Sequence, residues 1–101
     1  MPQTQIHVTH EDYINSGRYA ATLPDHEGEA ELTWHNGDPG IIVADHTYAP
    51  ESLRGKGVAK ALVQRLIADA RKRNLLIVPA CKYVSAQFDA HPEWADLRAD
   101  I

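Results

Sequence analysis

The sequence is poor in several things that would assign it quickly: one cysteine, one methionine, one phenylalanine and two tryptophans stand among 101 residues. With Cys81 alone, no internal disulfide can form, which suits a reducing compartment and leaves a thiol free for chemistry. No stretch approaches the roughly 18 consecutive apolar residues of a membrane-spanning helix, so no membrane partner is expected. The start, Met1-Pro2-Gln3-Thr4-Gln5, has neither the basic residues nor the apolar run of a secretory signal. A cytoplasmic location is therefore expected. Basic residues are short as well: 10 Lys and Arg against 14 Asp and Glu give a net charge of -4. Phosphate backbones call for the opposite balance, so nucleic acid is not an expected partner, and the acidity gives mild support to a basic one.

Familiar catalytic signatures are also missing. His7, His10, His26, His35 and His91 share no ligand spacing with acidic or cysteine partners, so no metal site is expected. No G-x-S-x-G segment occurs, and Ser52 and Ser85 have no evident base, which argues against a serine hydrolase. Repeats, low-complexity segments and linkers are absent, and a chain of this length holds one hydrophobic core. Residues 1–101 read as a single domain.

What is present is a change of hydrophobic period along the chain. Tyr19, Ala21 and Leu23, then Ala30, Leu32 and Trp34, alternate with polar or small residues, as half-buried strands do. Pro24-Asp25-His26-Glu27-Gly28 between them is turn-forming, predicting a hairpin. A second turn, Asn36-Gly37-Asp38-Pro39-Gly40, leads into Ile41-Ile42-Val43-Ala44 and on to Tyr48, giving a three-stranded antiparallel meander. Before Tyr19 the pattern is faint: Ile6 and Val8 suit a first strand and Thr9 to Tyr13 a turn. From about Gly57 to Arg73 the period becomes helical, with Val58, Leu62, Leu66 and Ala70 on one side and Lys60, Gln64, Arg65, Asp69 and Lys72 on the other. Asn74 can stop that helix, and Leu75 to Val78 reads as a buried strand ended by Pro79. Strand, helix and strand imply a βαβ crossover. Tyr83, Val84 and Phe88 suit a short helix ending at His91-Pro92, and Pro92 can open a last turn carrying Trp94 and Leu97.

The strand ending near Tyr48 reaches the long helix through Ala49 to Leu53 and then Arg54-Gly55-Lys56-Gly57. A helix start offers unpaired N–H groups and partial positive charge, which suit phosphate. Glycines remove side chains that would hold a phosphate away, and Arg54 and Lys56 add charge. Two solvated cations in a glycine-bearing loop would read the same way, so the loop alone decides little. It is neither a Walker loop, which needs G-x-x-x-x-G-K-[ST], nor a dinucleotide fingerprint, since Lys60 stands where G-x-G-x-x-G requires glycine.

Arg54 to Ala59 matches the R-x-x-G-x-A/G pattern of the GNAT superfamily of N-acetyltransferases. Asp45-His46-Thr47, Leu53 to Gly57, Pro79-Ala80-Cys81-Lys82-Tyr83-Val84 and His91-Pro92-Glu93 together resemble the very small members of that superfamily, over about Tyr19 to Asp96. The resemblance implies an α/β (α+β) fold: a mostly antiparallel sheet with one parallel βαβ step and a cleft where two strands splay. It implies acetyl-CoA as co-substrate and no metal. Thr47 and Tyr48 would face the pantetheine and acetyl end, and Arg54, Gly55, Lys56, Gly57, Val58 and Ala59 the pyrophosphate. Larger relatives carry a helical pair between the first two strands that helps wall the acceptor site, and this chain has no room for it.

In the small group the cysteine matching Cys81 is a candidate acetyl acceptor, implying an acetyl-cysteine intermediate. Its place after a strand and before a helix brings the sulfur near free N–H groups, while a buried cysteine acting as a small hydrophobe is the competing reading. If Cys81 is inert, an amine attacks the thioester directly and backbone N–H groups stabilise the oxyanion. Tyr83 is a candidate acid for the departing thiolate, against packing with Phe88. His46 is a candidate base, against a structural bond to a loop carbonyl. Neighbours on a regular strand face opposite sides, so Asp45 would orient His46 only if the strand were distorted. The expected activity is acetyl transfer to a small-molecule or protein amine, and the rival is a non-catalytic acyl-CoA-binding or regulatory module.

Overall fold

The computed structural model describes residues 5–99. Five strands form one sheet in sequence order: β1 (His7–Asp12), β2 (Ser16–Thr22), β3 (Ala30–Asn36), β4 (Ile41–Tyr48) and β5 (Leu76–Pro79). The pairs β1·β2, β2·β3 and β3·β4 are antiparallel, and β4·β5 is parallel. Between β4 and β5 runs α1 (Val58–Arg73), and α2 (Lys82–Ala90) and a 3-10 segment (Pro92–Leu97) follow β5. This is the mostly antiparallel α/β sheet with one βαβ step that the pattern implied.

Two readings need correction: β5 is Leu76–Pro79, with Leu76 exposed, instead of a buried Leu75 to Val78, and the N-terminal segment differs more. Thr9 to Asp12 belong to β1, and the turn begins at Tyr13, whose N–H bonds Ser16 O at 2.8 Å. The alternation is there but muted, because an inward position is filled by His10 instead of an aliphatic residue. His10 stacks on Tyr19 with ring centroids 4.6 Å apart.

The helix α1 lies over β2 and β3. Val58, Leu62, Val63, Leu66, Ile67 and Ala70 are its buried face, meeting a core that includes Tyr19, Leu32 and Trp34. Full burial of each larger aliphatic side chain contributes roughly 1.5–3 kcal/mol. Tyr19 is buried up to its hydroxyl, which donates to Asp69 on α1 at 2.8 Å. Burial, and then that bond, push its phenol well above the ordinary value. The helix stops at Asn74, left-handed at φ 56°, whose N–H reaches back to the carbonyls of Ala70 and Arg71.

The sheet is therefore covered by α1 on one face. On the other, Arg18 sits among Glu11, Glu29 and Glu31, with nearest contacts of 3.1, 2.6 and 3.1 Å. Among the described residues the C-terminal segment closes the β5 edge, where the Ala99 N–H bonds Ile77 O at 2.7 Å.

Gly17 is required by packing. A Cβ added there would clash with Cζ2 of Trp34 and stand 2.9 Å from the Glu11 carbonyl oxygen. Gly17→Ala is expected to lower unfolding stability by about 1–3 kcal/mol through overpacking, measured by urea titration with Gly37→Ala as an exposed control.

Candidate functional site

The site begins where the parallel pairing ends. β4 pairs with β5 from Ile41↔Leu76 to Ala44↔Pro79, and the last link is the Cys81 N–H to Ala44 O at 2.9 Å. Beyond it β4 continues to Tyr48, still paired to β3 through Thr47↔Leu32 and Tyr48↔Glu31 but with no strand on its other side. A cavity of about 450 Å³ opens there. It is lined by Thr47, Tyr48 and Ala49 of the β4 end, by Tyr83 of α2, and by the loop and first turn leading into α1.

That loop is held from both ends. Leu53, at the end of a 3-10 turn (Glu51–Leu53), is fully buried, and Ser52 donates to the Glu27 carbonyl at 2.8 Å. Arg54 Nε–H donates to Ala49 O at 3.0 Å, folding the loop back toward β4. Gly55 and Gly57 have φ of 75° and 82°, a region that costs any other residue strain. A Cβ on Gly55 would meet nothing within 4 Å, so the space beside it is open. Gly57 caps α1 with no side-chain bond, and the first intrahelical bond is Ala61 N–H to Gly57 O at 3.0 Å. The N–H groups of Val58, Ala59 and Lys60 thus start the helix without intrahelical partners. Among the residues read as cofactor-binding, Thr47, Tyr48, Arg54, Gly55, Gly57, Val58 and Ala59 all line the cavity. Lys56 is exposed and lies outside the lining.

Ala49, Leu53 and Lys60 also line the cavity and were not singled out from the sequence. Lys60 carried a legible signal, since it is the cation of the first helical turn. Leu53 did not, because it is a buried aliphatic residue that anchors a loop lining the cavity.

Cys81 is the N-cap of α2. Its sulfur makes no capping bond and donates instead to Thr47 Oγ1 at 3.3 Å, tying the start of α2 to the cavity wall. The thiol is half-buried, one contact behind the lining. Tyr83 lines the cavity while packing at the margin of the core, and burial raises its phenol above the ordinary value, keeping the proton on it.

His46 lies elsewhere. The register shifts between Thr33 and Trp34, so that Thr33 pairs His46, Trp34 pairs Ala44 and Asp45 is an extra residue in β4. This β-bulge is the distortion that a regular strand would not supply, and it exposes both Asp45 and His46. Asp45 does not orient His46: it accepts from the Thr33 hydroxyl and meets Nδ1 of His35. His46 Nε2 is 3.7 Å from Glu31 Oε2 and is not part of the cavity wall. Tyr83 thus lines the cavity, Cys81 stands behind it in contact with Thr47, and His46 stands on the uncovered side of the sheet.

A sequence model of the GCN5-related N-acetyl-transferase family matches residues 18–97. The chain belongs to this family. The match starts inside β2 and runs through the 3-10 segment after α2, so it contains every residue of the cavity. The solution structure of a GCN5-like protein from Staphylococcus aureus is similar over 100% of this chain and 93% of that one, with a TM-score of 0.66 and 25% identity. The splayed parallel pair, the glycine-bearing loop and the long helix are therefore an acetyltransferase-family framework on a small scale. Among the described residues no helix is long and apolar enough to cross a membrane.

The bulge yields a pH prediction. Burial alone would raise the Asp45 carboxyl, but the bonds from Thr33 and His35 outweigh it and hold it below 3.8. A depressed carboxylate stabilises the fold above its unfolded pKa, and that stability is lost as pH falls through the folded value. Asp45→Asn is expected to be less stable than the parent near pH 7, with the gap in urea midpoints closing as pH falls through the depressed folded value.

Proposed function

We propose that the protein transfers an acetyl group from acetyl-CoA to an amine, with Cys81 carrying the acetyl in transit. The observation that supports this reading best is the cavity at the β4–β5 divergence, because it joins an anion-receiving helix start to Thr47, the residue in contact with the Cys81 thiol. At one end are the free N–H groups of Val58, Ala59 and Lys60, the open space beside Gly55, and the Arg54 side chain. These fit a diphosphate, which backbone N–H groups and a guanidinium hold together. Thr47, which touches Cys81, and Tyr83 line the same cavity, and a pantetheine arm running along the unpaired edge of β4 would reach them.

Acetyl-CoA supplies the acetyl group as a thioester. Cys81 Sγ, turning from Thr47, attacks the thioester carbonyl and gives up its thiol proton; the bond to the CoA sulfur breaks, and the Tyr83 hydroxyl hands its proton to the departing thiolate and is reprotonated by the one Cys81 released. An amine then attacks the acetyl-Cys81 carbonyl, the carbon–sulfur bond breaks, and the proton lost from the nitrogen goes to the Cys81 sulfur, restoring the thiol. The ammonium proton must be removed first; His46, on the uncovered face away from the thiol, could take it only before the amine enters the cavity.

The second reading, a non-catalytic acyl-CoA-binding module, draws on that same face, which carries no helix among the described residues to wall an acceptor. The two separate in the test tube. Titration calorimetry should show saturable acetyl-CoA binding, weakened roughly tenfold or more by Arg54→Ala and abolished by Gly57→Glu. Mass spectrometry after incubation with acetyl-CoA alone should find one acetyl group on Cys81. Unmodified Cys81, with full turnover in Cys81→Ala, would exclude the relay. Binding without turnover of any amine in a broad panel would favour the module.

A further inference from the structure

The two edges of the sheet are treated differently. At β5 the segment Arg98–Ala99 lies against Ile77, whereas among the described residues nothing lies beyond β1. Because Tyr13 N–H bonds Ser16 O, the register makes Glu11, Thr9 and His7 the residues bonded to β2. The alternation of an antiparallel ladder then directs the N–H and C=O groups of Val8, His10 and Asp12 outward. A strand edge of this kind is a template for another strand unless proline, lysine or a cover blocks it, and β1 (HVTHED) contains neither residue.

We propose that β1 pairs antiparallel with β1 of a second copy, across a two-fold axis at Thr9. The parity of the ladder restricts the symmetric registers. Centred on Thr9, Val8 and His10 exchange backbone bonds with the partner's His10 and the partner's Val8. Thr9 then faces its own copy, and His7 faces the partner's Glu11, twice over. An imidazole N–H can donate to that carboxylate, which stays ionised because Arg18, and then Tyr13, hydrogen-bond to it. Arg18 and Tyr13 both engage Oε1, leaving Oε2 for the imidazole. Centring on His10 would oppose two imidazoles and set Val8 against the partner's Asp12, with no such pair. The side chains of His7, Thr9 and Glu11 are exposed, so nothing must be unpacked for the strands to meet. The product is a continuous sheet of two copies with both β4–β5 cavities at its outer ends, consistent with a two-fold, self-complementary contact. The inference does not depend on the transfer reading.

Sedimentation velocity on the full chain should show a concentration-dependent monomer–dimer equilibrium. Thr9→Lys sets two like charges face to face on an exposed position and should raise the dimer dissociation constant about fivefold. Val8→Pro removes an outward N–H without touching the bonds to β2 and should abolish the dimer. Amide spectra like the parent's establish that each variant is folded. Thr9→Cys in a Cys81→Ser background should cross-link under diamide, since cysteines facing each other at a non-hydrogen-bonded pair lie within disulfide reach. A monomer throughout the accessible concentration range overturns the proposal. So does a dimer that resists cross-linking and is unmoved by Thr9→Lys, which would place the contact on another surface.

Discussion

The site depends on an inequality in β4: β3 holds it along its whole length, and β5 holds it over only half. Four register pairs join β4 to β5, and the ladder ends at Pro79, the partner of Ala44. Proline has no N–H to continue the ladder, and the chain turns through Cys81 into α2. The unpaired stretch of β4 keeps its backbone groups because β3 still fixes its geometry. A cleft between two strands of one sheet is costly unless its polar groups are met by something, and a linear, amide-bearing cofactor arm is a chemically suitable occupant.

The loop into α1 is the complement of that gap. Its backbone must double back, through two glycines in the left-handed region, to set three helix N–H groups beneath the end of β4. Leu53 and Ser52 keep it there, the first by full burial and the second by reaching the β2–β3 turn. Charge is divided accordingly. Arg54 and Lys60 border the cavity, while Glu11, Glu29, Glu31 and Asp45 lie with Arg18 and His46 on the uncovered sheet face. An anionic donor and a cationic acceptor would meet opposite fields on opposite sides of β4.

The bulge at Asp45 connects the two sides. By adding one residue it lets Ala44 remain in the core and Thr47 turn to the cavity, while Asp45 and His46 are both exposed. Without it, alternation would send the end of β4 out of phase with β3, and Thr47 would lose its contact with Cys81. Asp45 is fixed by Thr33 and His35, both on β3, so the distortion is secured across the ladder and not by its own neighbours.

Most of this protein was legible in the sequence wherever a single element carries its own signal. The alternation of β2 and β3, the helical period of α1, the stop at Asn74 and the glycine-basic loop are local, and local sterics and burial determine them. The family pattern rested on the same short segments. The start of β1 was blurred because His10 takes an inward place by stacking on Tyr19, a contact between strands that no window of sequence contains. Tertiary structure alone decided the rest: that β4 bulges at Asp45, that Thr47 meets Cys81 from 34 positions away, and that His46 faces Glu31 and not the cavity. Each of these is a matter of register between strands, and register is set by the packing of the whole sheet, where a shift of one residue reverses every side chain.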